Sequence, residues 1–238
     1  MSHKGFQFKE FKVEQDRCAM KIGTDGVLLG AWVDVPEHIN SILDIGTGTG
    51  IIALQLAQRS DAEVIDALEI EPQAFEQAVE NFENSQWADR LYCYHASLQE
   101  FVSEIDDKYD LVISNPPYFN DTFKELDKQR AIARHTEELT FKELLEGVTK
   151  VLATDGTAAF IIPYKEEIGF LELAQNTNLF PSKISRYRGN INSELKRSLI
   201  QLKTKPHTLV QEEFFLEHSR HEYSDHYKSL VKDFYLKL

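Results

Sequence analysis

The sequence predicts an α/β fold, a mainly parallel sheet with helices on both faces. Three observations predict it. Short, mostly apolar runs alternate with segments whose apolar residues recur at helical spacing, from Ile42 to Ile162. A glycine triplet, Gly46, Gly48 and Gly50, follows the first of these runs directly. A proline-stiffened elbow, Asn115-Pro-Pro-Tyr118, follows the fourth. Strands buried on both faces read as near-continuous apolar runs, and helices connect them.

The elements follow in order. Phe6, Phe8 and Phe11 anchor an N-terminal strand-and-turn region, and Cys18 to Ile22 reads as a further extended run. Gly23 to Gly26 breaks it, and a short helix is expected from Val27 to Trp32, stopped near Pro36. Strands are expected over 42–45, 64–68, 91–94, 110–113 and 157–162, with helices over 51–59, 72–84, 98–105, 140–152 and 165–177. Pro72 suits a first helical turn because it lacks the N–H that would be orphaned there. Ser97 is a candidate cap for the helix after it. Residues 185–188, 197–203 and 208–217 look extended, and the tail from Tyr227 has no clear period. Residues 119–138 are polar and mixed in charge, and a loop or lid fits them, with a surface helix as the alternative.

A chain of 238 residues can form one well-packed domain, and residues 1–36 read as a small addition to it. No charged-then-apolar leader opens the chain and no apolar run is long enough to span a bilayer. Cys18 and Cys93 are the only cysteines, too few and too far apart for a disulfide framework or a metal cluster. A reducing, cytoplasmic setting, no metal and no membrane are expected.

The net charge of −13 argues against tight non-specific binding to nucleic acid, but the charge is uneven. Leu29 to Asn115 holds three Lys/Arg and seventeen Asp/Glu, whereas Pro181 to His207 holds seven Lys/Arg and Glu194 alone. Local sign governs the docking of an anion, although a solvated surface explains such a run equally well.

Glycines between a strand and a helix permit a tight turn and close approach of a ligand to the backbone. No basic side chain lies in this turn, which disfavours a nucleotide triphosphate. Glu69 closes the next strand, where an acid can accept both hydroxyls of a ribose; an ordinary solvent-facing acid is the alternative. Asp44 can hold the glycine turn or approach a ligand through water. Ala96 and Ser97 can frame a base edge. At the elbow, the Asn115 side-chain oxygen and the Pro116 carbonyl are acceptors that proline can hold in place. Together they suit the hydrogens of a planar amine, with Pro117 stiffening the turn and Tyr118 stacking on the ring. The plainer alternative is a turn that merely ends a strand.

Asp44-Ile-Gly46-Thr-Gly48-Thr-Gly50, Glu69 and the strand-helix order resemble the class I methyltransferases that use S-adenosyl-L-methionine. The resemblance covers Ser41 to Pro163. It implies a Rossmann-like class I methyltransferase fold with a mainly parallel seven-stranded sheet. It also implies a cofactor site built from Gly46, Gly48, Gly50 and Glu69, with the N-terminal addition over it. Asn115-Pro-Pro-Tyr118 resembles the motif of methyltransferases that act on adenine N6, guanine N2 in RNA or a release-factor glutamine. Gln15 to Trp32 and Lys232 to Leu238 are similar to a bacterial family that methylates adenine 37 in a tRNA anticodon loop. That likeness implies Gly23 and Thr24 near the methionine end of the cofactor, with Lys21 and Asp25 beside them. Lys21 as a surface lysine and Asp25 as a helix cap are the alternatives. The expected partner is tRNA, with no DNA, and the chain is expected to be a monomer. A non-catalytic RNA-binding module is the competing class.

Phosphate contacts should supply much of the RNA affinity. The candidates are Lys124, Lys128, Arg130 and Arg134, and more distantly Lys183, Arg186, Arg188, Lys196 and Arg197, with Tyr187 between two of them; a solvated surface is the alternative for each. Neutralising Lys124 and Arg134 together is expected to weaken tRNA binding and flatten its salt dependence, measured by titration at several ionic strengths. An unchanged affinity and slope would remove both from the interface.

Overall fold

The computed structural model describes residues 5–117 and 139–237. Two short strands, β1 (Phe6–Gln7) and β2 (Lys12–Val13), precede helix α1 (Thr24–Trp32). The alternating half follows as β3 (Ser41–Ile45), α2 (Ile51–Arg59), β4 (Val64–Glu69), α3 (Pro72–Glu83), β5 (Leu91–His95), α4 (Leu98–Glu104) and β6 (Tyr109–Ser114). After the gap in description come α5 (Phe141–Val151), β7 (Leu152–Pro163), α6 (Glu167–Asn176), β8 (Phe180–Arg188) and β9 (Leu195–Lys203). The chain closes with β10 (Val210–Phe215), β11 (Glu217–Ser219), β12 (Glu222–Tyr223) and α7 (Asp225–Val231).

Helix starts follow local chemistry. Glu71 caps α3, its carboxylate accepting from the Ala74 amide at 2.7 Å, with Pro72 in the first turn. Ser97 and Glu100 form a capping box on α4, and Thr140 and Glu143 form another on α5. Each box satisfies two backbone donors that the first turn would otherwise leave unpaired.

The sheet order is β10-β8-β9-β7-β6-β3-β4-β5. This makes eight strands among the described residues, one beyond the expected seven. The additional strand, β10, pairs with β8 in parallel, from Val210 opposite Lys183 to Phe215 opposite Arg188. From β7 through β6, β3 and β4 to β5 every pairing is parallel, and β9 alone runs against both of its neighbours. Side chains alternate between faces along each strand. Ile42, Leu111, Ile113, Ala159 and Ile161 thus join one core with α1, α2 and α7. Leu43, Val112, Ala158, Phe160 and Ile162 join a second core with α4, α5 and α6. The order reverses between β3 and β6, where β3 leads on to β4 and β6 leads to β7. Such a switch point opens a crevice at the carboxyl ends of the strands.

The N-terminal region departs from expectation in two places. Cys18 to Ile22 forms no strand, because the Lys21 ammonium donates to the carbonyls of Gln15 at 2.5 Å and Cys18 at 2.8 Å and folds the segment on itself. Helix α1 begins at Thr24 rather than Val27, with Gly23 at the N-cap. Asp25 therefore lies inside the first turn and caps nothing. The tail without a clear period contains α7, capped by the Ser224 hydroxyl. Just beyond α7, Phe8 bridges to Tyr235 and the Lys9 amide donates to the Phe234 carbonyl at 2.9 Å, which joins the two ends of the chain.

Candidate active site

The glycine turn and the proline elbow leave adjacent strands. The Ser114 hydroxyl, almost fully buried, donates to the Ile45 carbonyl at 2.8 Å. Gly46 follows Ile45 and Asn115 follows Ser114, so this bond adds to the parallel ladder that already pairs Ile45 with Ser114 and fastens the two loops at their roots. Sequence reading did not find Ser114, because a serine ending a strand carries no signal of what lies across the sheet.

Gly46, Gly48 and Gly50 all have positive φ, at 71°, 57° and 79°. That region costs an L residue about 1–2 kcal/mol. A Cβ on Gly46 or Gly48 would meet nothing within 4 Å, whereas one on Gly50 would lie 2.5 Å from Phe82 Cε1. Gly50 is therefore required by packing, while Gly46 and Gly48 face open space. The turn is braced from two sides. Glu69 accepts from the Gly48 amide through Oε2 and from the Glu71 amide through Oε1, both at 2.9 Å. Asn81, buried on α3, donates to the carbonyls of Thr49 at 2.9 Å and Glu14 at 2.8 Å. Asn81 too was missed, since an asparagine inside a helix resembles any polar surface residue.

Asp44 lies under the turn and is wholly buried. Thr47 donates to its Oδ2 at 2.6 Å, while Oδ1 has no hydrogen-bond partner among the described residues. Burial pushes its carboxyl up to about 7, against the opposing pull of the Thr47 hydroxyl and the Ala53 amide, with Glu69 adding to the rise. A buried acceptor without a partner is costly unless something bound satisfies it.

Ala96 and Ser97 lie at the carboxyl end of β5, partly exposed. The amide and hydroxyl of Ser97 both donate to Glu100 in the capping box, at 2.9 Å and 2.7 Å, so its polar groups are already committed. Cys18 and Cys93 are thiols that burial, with Glu69 adding to it, pushes up to about 11 and about 12; neither ionises near neutral pH.

At the elbow Asn115 is partly exposed, Pro116 buried and Pro117 exposed. Tyr118 lies outside the described residues, as do Lys124, Lys128, Arg130 and Arg134. Helix α1 closes over the elbow. A Cβ on Gly26 would lie 4.0 Å from Asn115 Nδ2 and 3.4 Å from Ile51, so the helix backbone passes close to both loops. Gly23 and Thr24 stand exposed at the start of that helix.

The basic run divides differently from expectation. Arg186 is bidentate to buried Glu167, at 2.7 and 2.8 Å. Lys183 bonds Asp34 at 2.8 Å above the Trp32 ring, and Arg188 bonds Glu213 at 2.6 Å. Arg197 donates to Asp25 at 2.8 Å, and the Tyr187 hydroxyl donates to the same carboxylate. Tyr187 is 1% exposed, with its ring against Phe214, so it offers no face to a base. These cations brace β8 and β9 and fasten α1 to them; Lys196 is exposed. Charge density along the chain could not reveal that acids from other elements neutralise it.

Comparison with known proteins gives consistent relatives. Residues 27–165 match the family model described as "Methyltransferase small domain". A Christiangramia forsetii protein named tRNA1(Val) (adenine(37)-N6)-methyltransferase is 56% identical over 100% of both chains. A Flavobacterium johnsoniae protein of the same name is 51% identical over 98% of this chain and 100% of its own. Among solved structures, a "predicted O-methyltransferase" from Agrobacterium tumefaciens superposes with a TM-score of 0.69, covering 88% of this chain and 96% of that one at 16% identity. The last likeness speaks to the fold alone.

Proposed function

The chain belongs to the tRNA1(Val) (adenine(37)-N6)-methyltransferase family, and from that membership we propose how its own residues carry a methyl group to the N6 of an adenine in the tRNA anticodon loop. The observation that supports the reading is the Ser114–Ile45 hydrogen bond, which joins the strand ends from which the glycine turn and the elbow leave. No helix among the described residues is long and apolar enough to cross a membrane; on this reading, a protein that acts on tRNA works in the cytoplasm.

The residues present suit S-adenosyl-L-methionine. Gly46 and Gly48 leave open a space that any Cβ would narrow, and the buried Asp44 carboxylate beneath it has lone pairs that a bound donor can use. In this reading the lone pairs left on Glu69 receive the ribose hydroxyls, while Gly23 and Thr24 cover the amino acid end. Ala96 flanks the base, with Ser97 contributing through its position. When bound, the cofactor supplies an electrophilic methyl on a positively charged sulfur.

The amine of adenine is a weak nucleophile because its lone pair is delocalised into the ring. Asn115 Oδ1 and the Pro116 carbonyl accept its two hydrogens, favour a pyramidal nitrogen and stabilise the positive charge that grows on it. Pro117 restrains the elbow, so this geometry needs little reorganisation. Stacking on the purine falls to Tyr118 by the resemblance of the motif.

Purified protein given labelled S-adenosylmethionine and unmodified tRNA should yield N6-methyladenosine in digested nucleosides. Label on a release factor or on guanine, or none anywhere, would overturn the assignment. Gly48→Ala separates cofactor binding from folding. The new methyl meets nothing in the protein, so stability should fall only by the positive-φ strain of about 1–2 kcal/mol. Affinity for S-adenosylhomocysteine, followed by calorimetry, should drop by a larger factor; a matching small loss would exclude close approach of the ligand there.

A further inference from the structure

A cavity lies against the start of α1, on the same carboxyl edge of the sheet as the elbow. Its volume is about 480 Å³, within the size range of small-ligand pockets. Gly189, which follows β8, and Leu216 and Glu217, which follow β10, line it. β8 and β10 run parallel to one another, and both run parallel to β7 through their shared partner β9. All three therefore end on the edge where β6 delivers Asn115. Thr24 forms the inner wall, two residues from the Gly26 that abuts Asn115.

The remaining walls are aromatic. Tyr223 and Tyr227 lie with ring centroids 5.1 Å apart, and Phe6 meets Tyr235 edge-on at 5.9 Å. Burial raises the phenols of Tyr227 and Tyr235 above their usual range, so both stay neutral hydroxyls. Glu217 is held at the rim by the His221 amide, which donates to its Oε2 at 3.1 Å. Lys237 adds an ammonium at the mouth. Tyr227 is 4% exposed and bonds Tyr235, so Tyr223 and Phe6 offer the stacking faces, with one carboxylate for a base N–H edge and one ammonium for a phosphate, the groups that recognise a nucleotide.

We infer that this cavity is a second nucleotide subsite, which receives an unpaired loop nucleotide beside the target adenine when that adenine enters the elbow. The inference rests on the tRNA reading of the active site. It gives the enzyme a means of reading loop context. Extracting a base from a loop leaves its neighbours unstacked, and a pocket on the same edge recovers stacking for one of them. Flanking nucleotides are a known source of selectivity in enzymes that act on an extruded base.

The test is a cycle between protein and RNA. Binding of an anticodon stem–loop is measured with the intact RNA and with RNAs that carry one abasic position beside the target. For the wild type, one of these abasic RNAs should bind about tenfold more weakly, the scale of one lost base–aromatic stack. Tyr223→Ala should weaken the intact RNA by a similar factor and weaken that abasic RNA little further. Lys237→Ala, on the exposed tail, should lower affinity for the intact RNA several-fold with reduced salt dependence, and it guards against misfolding of the Tyr223 variant. Losses that multiply at every flanking position, or variants that bind as wild type does, would overturn the subsite. Methylation is read on the same wild-type samples. Its absence would sink the activity reading, while the binding cycle would still decide the pocket.

Discussion

Asn115→Ala is expected to reduce methyl transfer by at least about 10²–10³-fold, the usual cost of removing one preorganised hydrogen-bonding group from a transition state. The loss should fall on kcat. The preceding residue, Ser114, is buried and bonded to Ile45, a contact that the truncation leaves in place at the root of the elbow. RNA affinity should change only a few-fold, since stacking and phosphate contacts survive the truncation. Single-turnover rates at saturating tRNA and cofactor would check this. If the variant kept most of its rate and lost affinity instead, Asn115 would be a binding group and the pyramidal-nitrogen argument would fail. The alternative of a non-catalytic RNA-binding module predicts no loss at all.

The legible parts of the fold were those written in consecutive residues. Ile42 to Ile45 and Asp110 to Ile113 are buried on both faces, and their apolar runs placed β3 and β6 within a residue of their observed bounds. Ser97 read correctly as a cap because its partner Glu100 lies one helical turn away. The glycine turn and elbow were legible for the same reason: each is a local backbone device.

Groups that act across the sheet were not legible. Ser114 matters through Ile45, and Asn81 through Thr49 and Glu14. Asp25 suited a helix cap until Arg197 and Tyr187, distant in sequence, were found to hold its carboxylate. The positive run from Pro181 shows the same limit, because Glu167, Asp34 and Glu213 arrive from other elements and pair with Arg186, Lys183 and Arg188. Sequence reports the charge a segment carries, and tertiary structure decides how much of it remains available to a ligand. The eighth strand, β10, has a related cause. Residues 208–217 looked extended, but pairing with β8 is a property of the folded sheet.

Asp44→Asn is expected to stabilise the cofactor-free protein while weakening its grip on the cofactor. Asp44 ionises near pH 7 in the folded chain and near 3.8 without the fold. Between those values the folded state holds a proton that the unfolded state has released. Stability therefore falls as pH rises through this window, and the penalty is complete above pH 7, where it amounts to at most about 4 kcal/mol. Asparagine is neutral throughout and keeps an acceptor for the Thr47 hydroxyl. Its melting temperature should exceed that of the wild type most clearly at pH 8, with the gain fading towards pH 5. A cationic ligand reverses the balance. An ammonium near Oδ1 favours the carboxylate, so binding of S-adenosylhomocysteine to the wild type should release a proton below pH 7 and tighten as pH rises from 5 to 7. Calorimetry in two buffers of different ionisation enthalpy measures both effects. An affinity that ignores pH across this range would leave Asp44 as a brace for the turn and no part of the cofactor site. The opposite result would identify the buried acid as a strain the empty fold carries for the sake of its ligand, which is why a residue so unfavourable to the core can stand at the centre of it.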